Sequence, residues 1–204
     1  VHDFKEIQSV AEFGNVRAAT ELLGAGGWDV FTPEFLKQSV NATTAWGMSH
    51  VIPHGVFTTQ KLTGNKWMPD WYSESPMFPW MHLWNDFVAR ASFINSVGSA
   101  CPDVLLYNPL ESGWALASAD MLDGGIWDFS QNSSDGGKIG AINAAYSRAI
   151  QDMTNGRVEF LVGDRKYVRE MKLDNGYLVR GPLVFKTVVL PPLAIMPLDV
   201  ARKI

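Results

Sequence analysis

The residue best placed for chemistry is Glu21, in the stretch "ATELLGAGGWD". It closes an apolar, β-leaning run, Val16-Arg17-Ala18-Ala19-Thr20. Three glycines follow at once, Gly24, Gly26 and Gly27, and then Trp28 and Asp29. A carboxylate at the tip of a strand can take a proton or attack an electrophilic carbon. Glycines after it let the backbone approach a ligand. An indole offers a flat face for stacking on a sugar ring, and Asp29 can bond hydroxyls. This is chemistry of the kind used in glycoside hydrolysis, which needs two acids flanking the bond. The structural alternative is equally simple: Glu21 as a buried acid paired with Arg17 or Arg90.

A second cluster lies in "MSHVIPHG". His50 falls within the predicted strand, where a satisfied core histidine is the simpler reading. His54, in Pro53-His54-Gly55 just past the strand, is the better site candidate. Asp70 and Glu74 read as solvated loop charges, unless the loop folds over the site. His2 and His82 read as helical and structural, and Cys101 as a small core residue.

The elements that would position these residues follow from periodicity. Residues 3 to 13 place Phe4, Ile7, Val10 and Ala11 at helical spacing, stopped by Gly14. A strand at about 16–21 comes next. Thr32, Pro33 and Glu34 form a helix start, with an N-cap, proline at the first position and an acid at the positive end of the dipole. That helix turns Phe35, Leu36 and Val40 inward and ends at Gly47. A second strand spans about 48–53. The 29 residues from Glu21 to His50 match one βα step of an α/β barrel, where active sites lie at the C-terminal ends of strands. The long loop 54–79 carries Trp67, Trp71 and Tyr72, and loops of this length are usually functional or disordered. Trp80, Leu83, Phe87, Ala91 and Ile94 then mark one face of a strong helix closed by Gly98.

The character changes near residue 100. "DVLLYNP" reads as a short buried strand, 111–140 as polar and glycine-rich, and 141–154 as a helix burying Ile142, Ala145, Ala149, Ile150 and Met153. Next come a strand "VEFLV", a short helix from about Asp164, a hairpin at Asp174-Asn175-Gly176 and one apolar strand, "LVFKTVVLP". This order predicts a second α/β unit with a mostly parallel sheet. Neither GxGxxG nor GxxxxGK[ST] occurs in it, so nucleotide binding is unsupported.

Composition narrows the function further. Of the 204 residues 47% are hydrophobic and 19% charged, which suits a packed protein rather than a disordered one. A net charge of −4 gives no footprint for nucleic acid, and no apolar run reaches the ~20 residues of a membrane span. The single cysteine excludes an internal disulfide and a cysteine-based metal site. Eight tryptophans, all from Trp28 to Trp127, suit either a sugar-binding cleft or a packed core. Two Asn-x-Ser/Thr triplets, at Asn41 on the expected solvent face of a helix and at Asn132 in a polar loop, permit glycosylation of a secreted, extracellular protein. A βα-type chain that opens on a helix is expected to be a piece of a larger polypeptide.

The segments "VAEFGNVRAATELLGAGGWDVFTPEFLKQSVNATTAWGMSHVIPHGVF" and "YSESPMFPWMHLWNDFVARASFINSVGSACPDVLLYNPLESGW" resemble the later barrel half of large secreted glycoside hydrolases. The nearest pattern is that of the α-L-rhamnosidases of glycoside hydrolase family 106. The later "YLVRG…FKTVVLPPL" resembles the end of a flavodoxin-like sheet. The resemblance implies an α/β chain: the last units of a (β/α)8 barrel over 1–99, then a flavodoxin-like accessory domain over 100–204. It implies Glu21 as a catalytic carboxylate and His54 as a substrate contact; Trp28, Asp29, Trp67 and Trp71 are the further candidates for holding the sugar. Calcium near the sugar is a family trait for which the sequence shows no ligand set. The second acid is expected on an earlier strand, outside this chain, so the remaining N-terminal polypeptide is an expected partner. Homo-oligomer contacts through the second domain would fit as well. Two alternatives stay open: a retaining β-galactosidase-type enzyme, and a non-catalytic carbohydrate-binding or scaffold protein.

Overall fold

Helix signals and strand alternation divide the chain into short α/β steps. The computed structural model describes residues 2–23, 32–54, 77–117 and 137–204. These fall into two units, Val10–Ser99 and the combination of Val1–Ser9 with Ala100–Ile204.

In the first unit, the end of helix α1 (His2–Gly14) leads to strand β1 (Ala19–Leu22), helix α2 (Pro33–Ala45), strand β2 (His50–Pro53), a single 3₁₀ turn (Phe78–Trp80) and helix α3 (Met81–Val97). Thr32 caps α2 as its sequence predicts, accepting a hydrogen bond from the Phe35 amide at 3.2 Å. The helix ends where Gly47 takes φ 81°, a left-handed conformation that suits glycine. Strands β1 and β2 pair in parallel, Ala19 opposite His50 and Glu21 opposite Ile52. One face of this ribbon is covered: Leu22, Leu23 and Val51 pack with Leu36 and Val40 of α2 and with Trp84, Phe87 and Val88 of α3. The Trp84 indole N–H donates to the Leu36 carbonyl at 3.3 Å. The Asn95 amide donates to the Thr44 and Met48 carbonyls at 2.6 and 3.1 Å, so α3 also supplies a partner to an end carbonyl of α2.

The buried face of α3 differs from the predicted one. Trp84 is at its centre, with Phe87, Val88 and Ala91 beside it, whereas Trp80, Leu83 and Ile94 are exposed. The helix is apolar on more than one side, and its partners rather than its periodicity select the buried stripe. Phe35 is likewise exposed, while Leu36 and Val40 point inward.

In the second unit, strand β3 (Val104–Tyr107) is the centre of a parallel three-stranded sheet ordered β4-β3-β8, with β4 at Phe160–Gly163 and β8 at Thr187–Val189. Helix α5 (Gly137–Asn155) packs Tyr146 and Ile150 against Leu106, Phe160 and Val162. Asp164 caps helix α6 (Arg165–Glu170), accepting from the Tyr167 amide at 3.0 Å. A separate antiparallel sheet, β5 (Lys172–Asp174), β6 (Tyr177–Arg180) and β7 (Leu183–Phe185), holds the predicted hairpin. The single strand expected over 183–191 is therefore two. At Lys186 the chain leaves one sheet for the other, and the Lys186 and Thr187 amides both donate to the Asp103 carbonyl, at 2.8 and 3.1 Å. Helix α4 (Leu110–Leu116) lies in the stretch expected to be polar loop, and helix α7 (Leu198–Ala201) follows Pro197. Cys101 is exposed rather than buried.

Candidate active site

The position of Glu21 follows from the pleat. Successive side chains of a strand point to opposite faces. Leu22 and Val51 face the helices, so Glu21 of β1, with His50 and Ile52 of β2, falls on the other face. Among the described residues nothing is packed on that face: the Glu21 side chain is 60% exposed and Ile52 is exposed as well. Directly after β1, Leu23 adopts φ 69°, an uncommon left-handed conformation for leucine, and returns its side chain to the core. Leu23 thus bends the chain directly after β1, and Glu21 lies at the C-terminal end of its strand.

His54 extends β2 by one residue. Its amide donates to the Leu22 carbonyl at 2.9 Å, which brings its ring beside Glu21. Imidazole Nε2 lies 3.9 Å from Glu21 Oε1, within ion-pair range and beyond a hydrogen bond. The ring is 31% exposed, and its Nδ1 is buried with no hydrogen-bond partner among the described residues. Two of the sequence candidates are therefore neighbours. Neither Arg17 nor Arg90 forms an ion pair with Glu21 among the described residues, so the buried-acid alternative does not describe this site. His50 is exposed, with Nδ1 3.2 Å from Ser49 Oγ, in place of the core position expected for it.

Trp28, Asp29, Trp67, Trp71, Asp70, Glu74 and Asn132 lie outside the described residues. Asn41 is exposed on α2. His82 is exposed on α3, its Nδ1 3.0 Å from the Pro79 carbonyl. Among the described residues no three His, Cys, Asp or Glu side chains gather to hold a metal ion, so nothing there forms a calcium cage.

A polar cluster that the sequence did not suggest lies at the end of β3. Tyr107 Oη donates to Glu111 at 3.0 Å. Tyr146 Oη and the Asn108 amide both donate to Glu6 Oε1, at 2.7 and 3.3 Å. Burial, followed by these carboxylate partners, pushes both phenols well above the usual tyrosine range. Each carboxylate is engaged by a phenol, an arrangement suited to holding the unit together. The one sequence signal for it was the Asn108-Pro109 pair that closes an apolar strand.

No family model and no curated protein matches this chain. Among solved structures, the chain is similar to a rhamnosidase from Novosphingobium sp. PP1Y, with a TM-score of 0.64 and 18% identity, over 98% of this chain. At that identity the likeness is one of fold, a mixed α/β arrangement. The chain spans 18% of the length of that rhamnosidase.

Proposed function

We propose that this chain is the part of a secreted, α-L-rhamnosidase-like glycoside hydrolase that carries one catalytic carboxylate, Glu21. The observation that carries the reading is an open carboxylate at the C-terminal end of a parallel strand, beside His54, in a fold similar to a segment of a rhamnosidase. In this reading β1 and β2 are late strands of a (β/α)8 barrel, and the face bearing Glu21 is its interior. The edge of β1 away from β2, which is unpaired among the described residues, supports this. Ala18 and Leu22 give their carbonyls to β2, and in a parallel pair alternate residues bond alternate neighbours. The main chains of Ala19 and Glu21 are thus turned toward a further strand. The unit after residue 100 is the flavodoxin-like accessory domain, suited to oligomer contacts.

Glu21 then serves as general base toward water or as nucleophile toward the anomeric carbon. The separation from a second acid, supplied by the remaining polypeptide, decides between inversion and retention. Trp28, Asp29, Trp67 and Trp71, in the segments that follow β1 and β2, hold the sugar with His54. Calcium has no assigned step. Glu21→Gln, made in the longer polypeptide that supplies the second acid and assayed on aryl α-L-rhamnosides and galactosides, is expected to lower kcat by about 10²- to 10⁴-fold. Retained turnover removes Glu21 from the mechanism. Sugar binding by a wild-type protein without hydrolysis would replace this reading with the carbohydrate-binding one.

A further inference from the structure

The ring of His54 meets two unlike environments. Nε2 faces Glu21 Oε1 at 3.9 Å, while Nδ1 is buried and has no partner among the described residues. A neutral imidazole has one N–H donor and one acceptor lone pair. An ionised carboxylate only accepts, so a lone pair on Nε2 would face the lone pairs of Oε1. A proton on Nδ1 would be a buried donor without an acceptor, and orphaned N–H groups are rarer in folded proteins than unsatisfied acceptors. Both environments select the same tautomer.

We infer that His54 is a positioning residue for Glu21: when the ring is neutral, its proton sits on Nε2 and is directed at the carboxylate. The inference rests on the glycosidase reading for its purpose, but not for its geometry. Glu21 is a three-torsion side chain on an open face. An N–H aimed at Oε1 limits its rotation and leaves Oε2 for the substrate side. Glu21 then works as base or nucleophile, and the proton given to the leaving oxygen comes from another acid.

The test is the tautomer of His54 in the intact 204-residue chain, read from long-range ¹H–¹⁵N correlations of its ring nitrogens, with the signal assigned by its loss in His54→Gln. Wild type is expected to show Nε2 protonated and Nδ1 bare. Because free imidazole already leans that way, the decisive reading is Glu21→Ala. Loss of the acceptor should lower the Nε2–H to Nδ1–H ratio roughly two- to fivefold, the range of an exposed polar pair. Glu21→Gln, which keeps an acceptor oxygen, should fall between. A dominant Nδ1–H tautomer in wild type, or an unchanged ratio in Glu21→Ala, overturns the inference. Hydrolysis lost in Glu21→Gln with an unmoved tautomer would reject the positioning role and leave the glycosidase reading intact. A shifted tautomer with undiminished hydrolysis would do the reverse.

Discussion

Ser112 offers a sharp test of how the second unit is fastened. It lies on α4 and is fully buried. Its hydroxyl accepts from the Ala194 and Ile195 amides, each at 3.0 Å, and donates to the Ile195 carbonyl at 3.2 Å. One side chain thereby ties the segment leaving β8 to the helix that follows β3. In open α/β sheets ligands bind near the C-terminal ends of strands, at a switch in strand order. β3 has such a position here, with β4 on one side and β8 on the other, and the chain's own 194–195 segment is anchored there. In Ser112→Ala three hydrogen bonds vanish, each worth about 1 kcal/mol net. Ala194 and Ile195 are themselves exposed, so their amides can recover water if the segment lifts, which caps the loss. The expected cost is about 2 kcal/mol, read as a lower urea midpoint at unchanged slope. Exchange of the Ala194 and Ile195 amides should accelerate roughly thirtyfold, the same free energy expressed locally. Ser112→Cys keeps the shape but offers a weak acceptor, and should fall between. A change under about 0.5 kcal/mol with undiminished protection of both amides would refute the reasoning. Uniformly faster exchange across the unit would point to a packing defect instead.

Two further outcomes follow from the cores. Trp84→Ala should cost about 3–5 kcal/mol in thermal or denaturant unfolding, whereas Trp80→Ala, exposed four residues earlier, should stay within about 0.5 kcal/mol; similar costs for both would mean that the buried stripe of α3 is misassigned. The raised phenols of Tyr107 and Tyr146 fix the sign of an alkaline effect. Each binds its proton more tightly folded than unfolded, so its contribution is complete below the ordinary tyrosine range, near pH 10, and declines as pH rises beyond it. Tyr146→Phe should flatten that decline in denaturation curves measured from pH 9 upward, and an unaltered slope would reject the assignment.

Legibility from sequence followed the range of the forces involved. The start of α2 was legible because Thr32, Pro33 and Glu34 act within one turn, and the Asp164 cap and the turn at Asn175-Gly176 are local in the same way. The inward stripe of α3 was not legible. Trp80, Leu83, Trp84, Phe87, Ile94 and Val97 surround much of the helix, and only Leu36, Val40 and the strands decide which of them are covered. The run from Leu183 to Pro191 has uniform strand propensity, yet bonds to the distant Asp103 carbonyl divide it. Helix α4 was hidden because Ser112 and Gly113 look like loop residues until the partners of Ser112 are known. In the candidate site, the proximity of Glu21 and His54 was foreseeable from their strand-end positions, whereas the exposure of Glu21 and His50 depended on what covers the second face of the ribbon.

That second face links the proposed chemistry to the proposed architecture. Parallel strands are normally covered on both sides, and a two-stranded ribbon is marginal without further support. Here one side has a packed helical layer, and the other presents Ile52 beside an acid and two histidines. Ile52 gains nothing from water, and Glu21 gains nothing from an apolar cover. A covering that suits both must be polar near the strand end and apolar below it. The mouth of a closed barrel is layered in that order, with side chains filling the interior and reactive groups at the rim. A strand added along the edge of β1 that is open among the described residues would extend the sheet toward a closure that encloses Ile52's side, and bring its own terminal residue level with Glu21. In the proposed barrel, completing the sheet and supplying the second acid are one structural event, so the proposal ties the role of the carboxylate on β1 to the strand beside it.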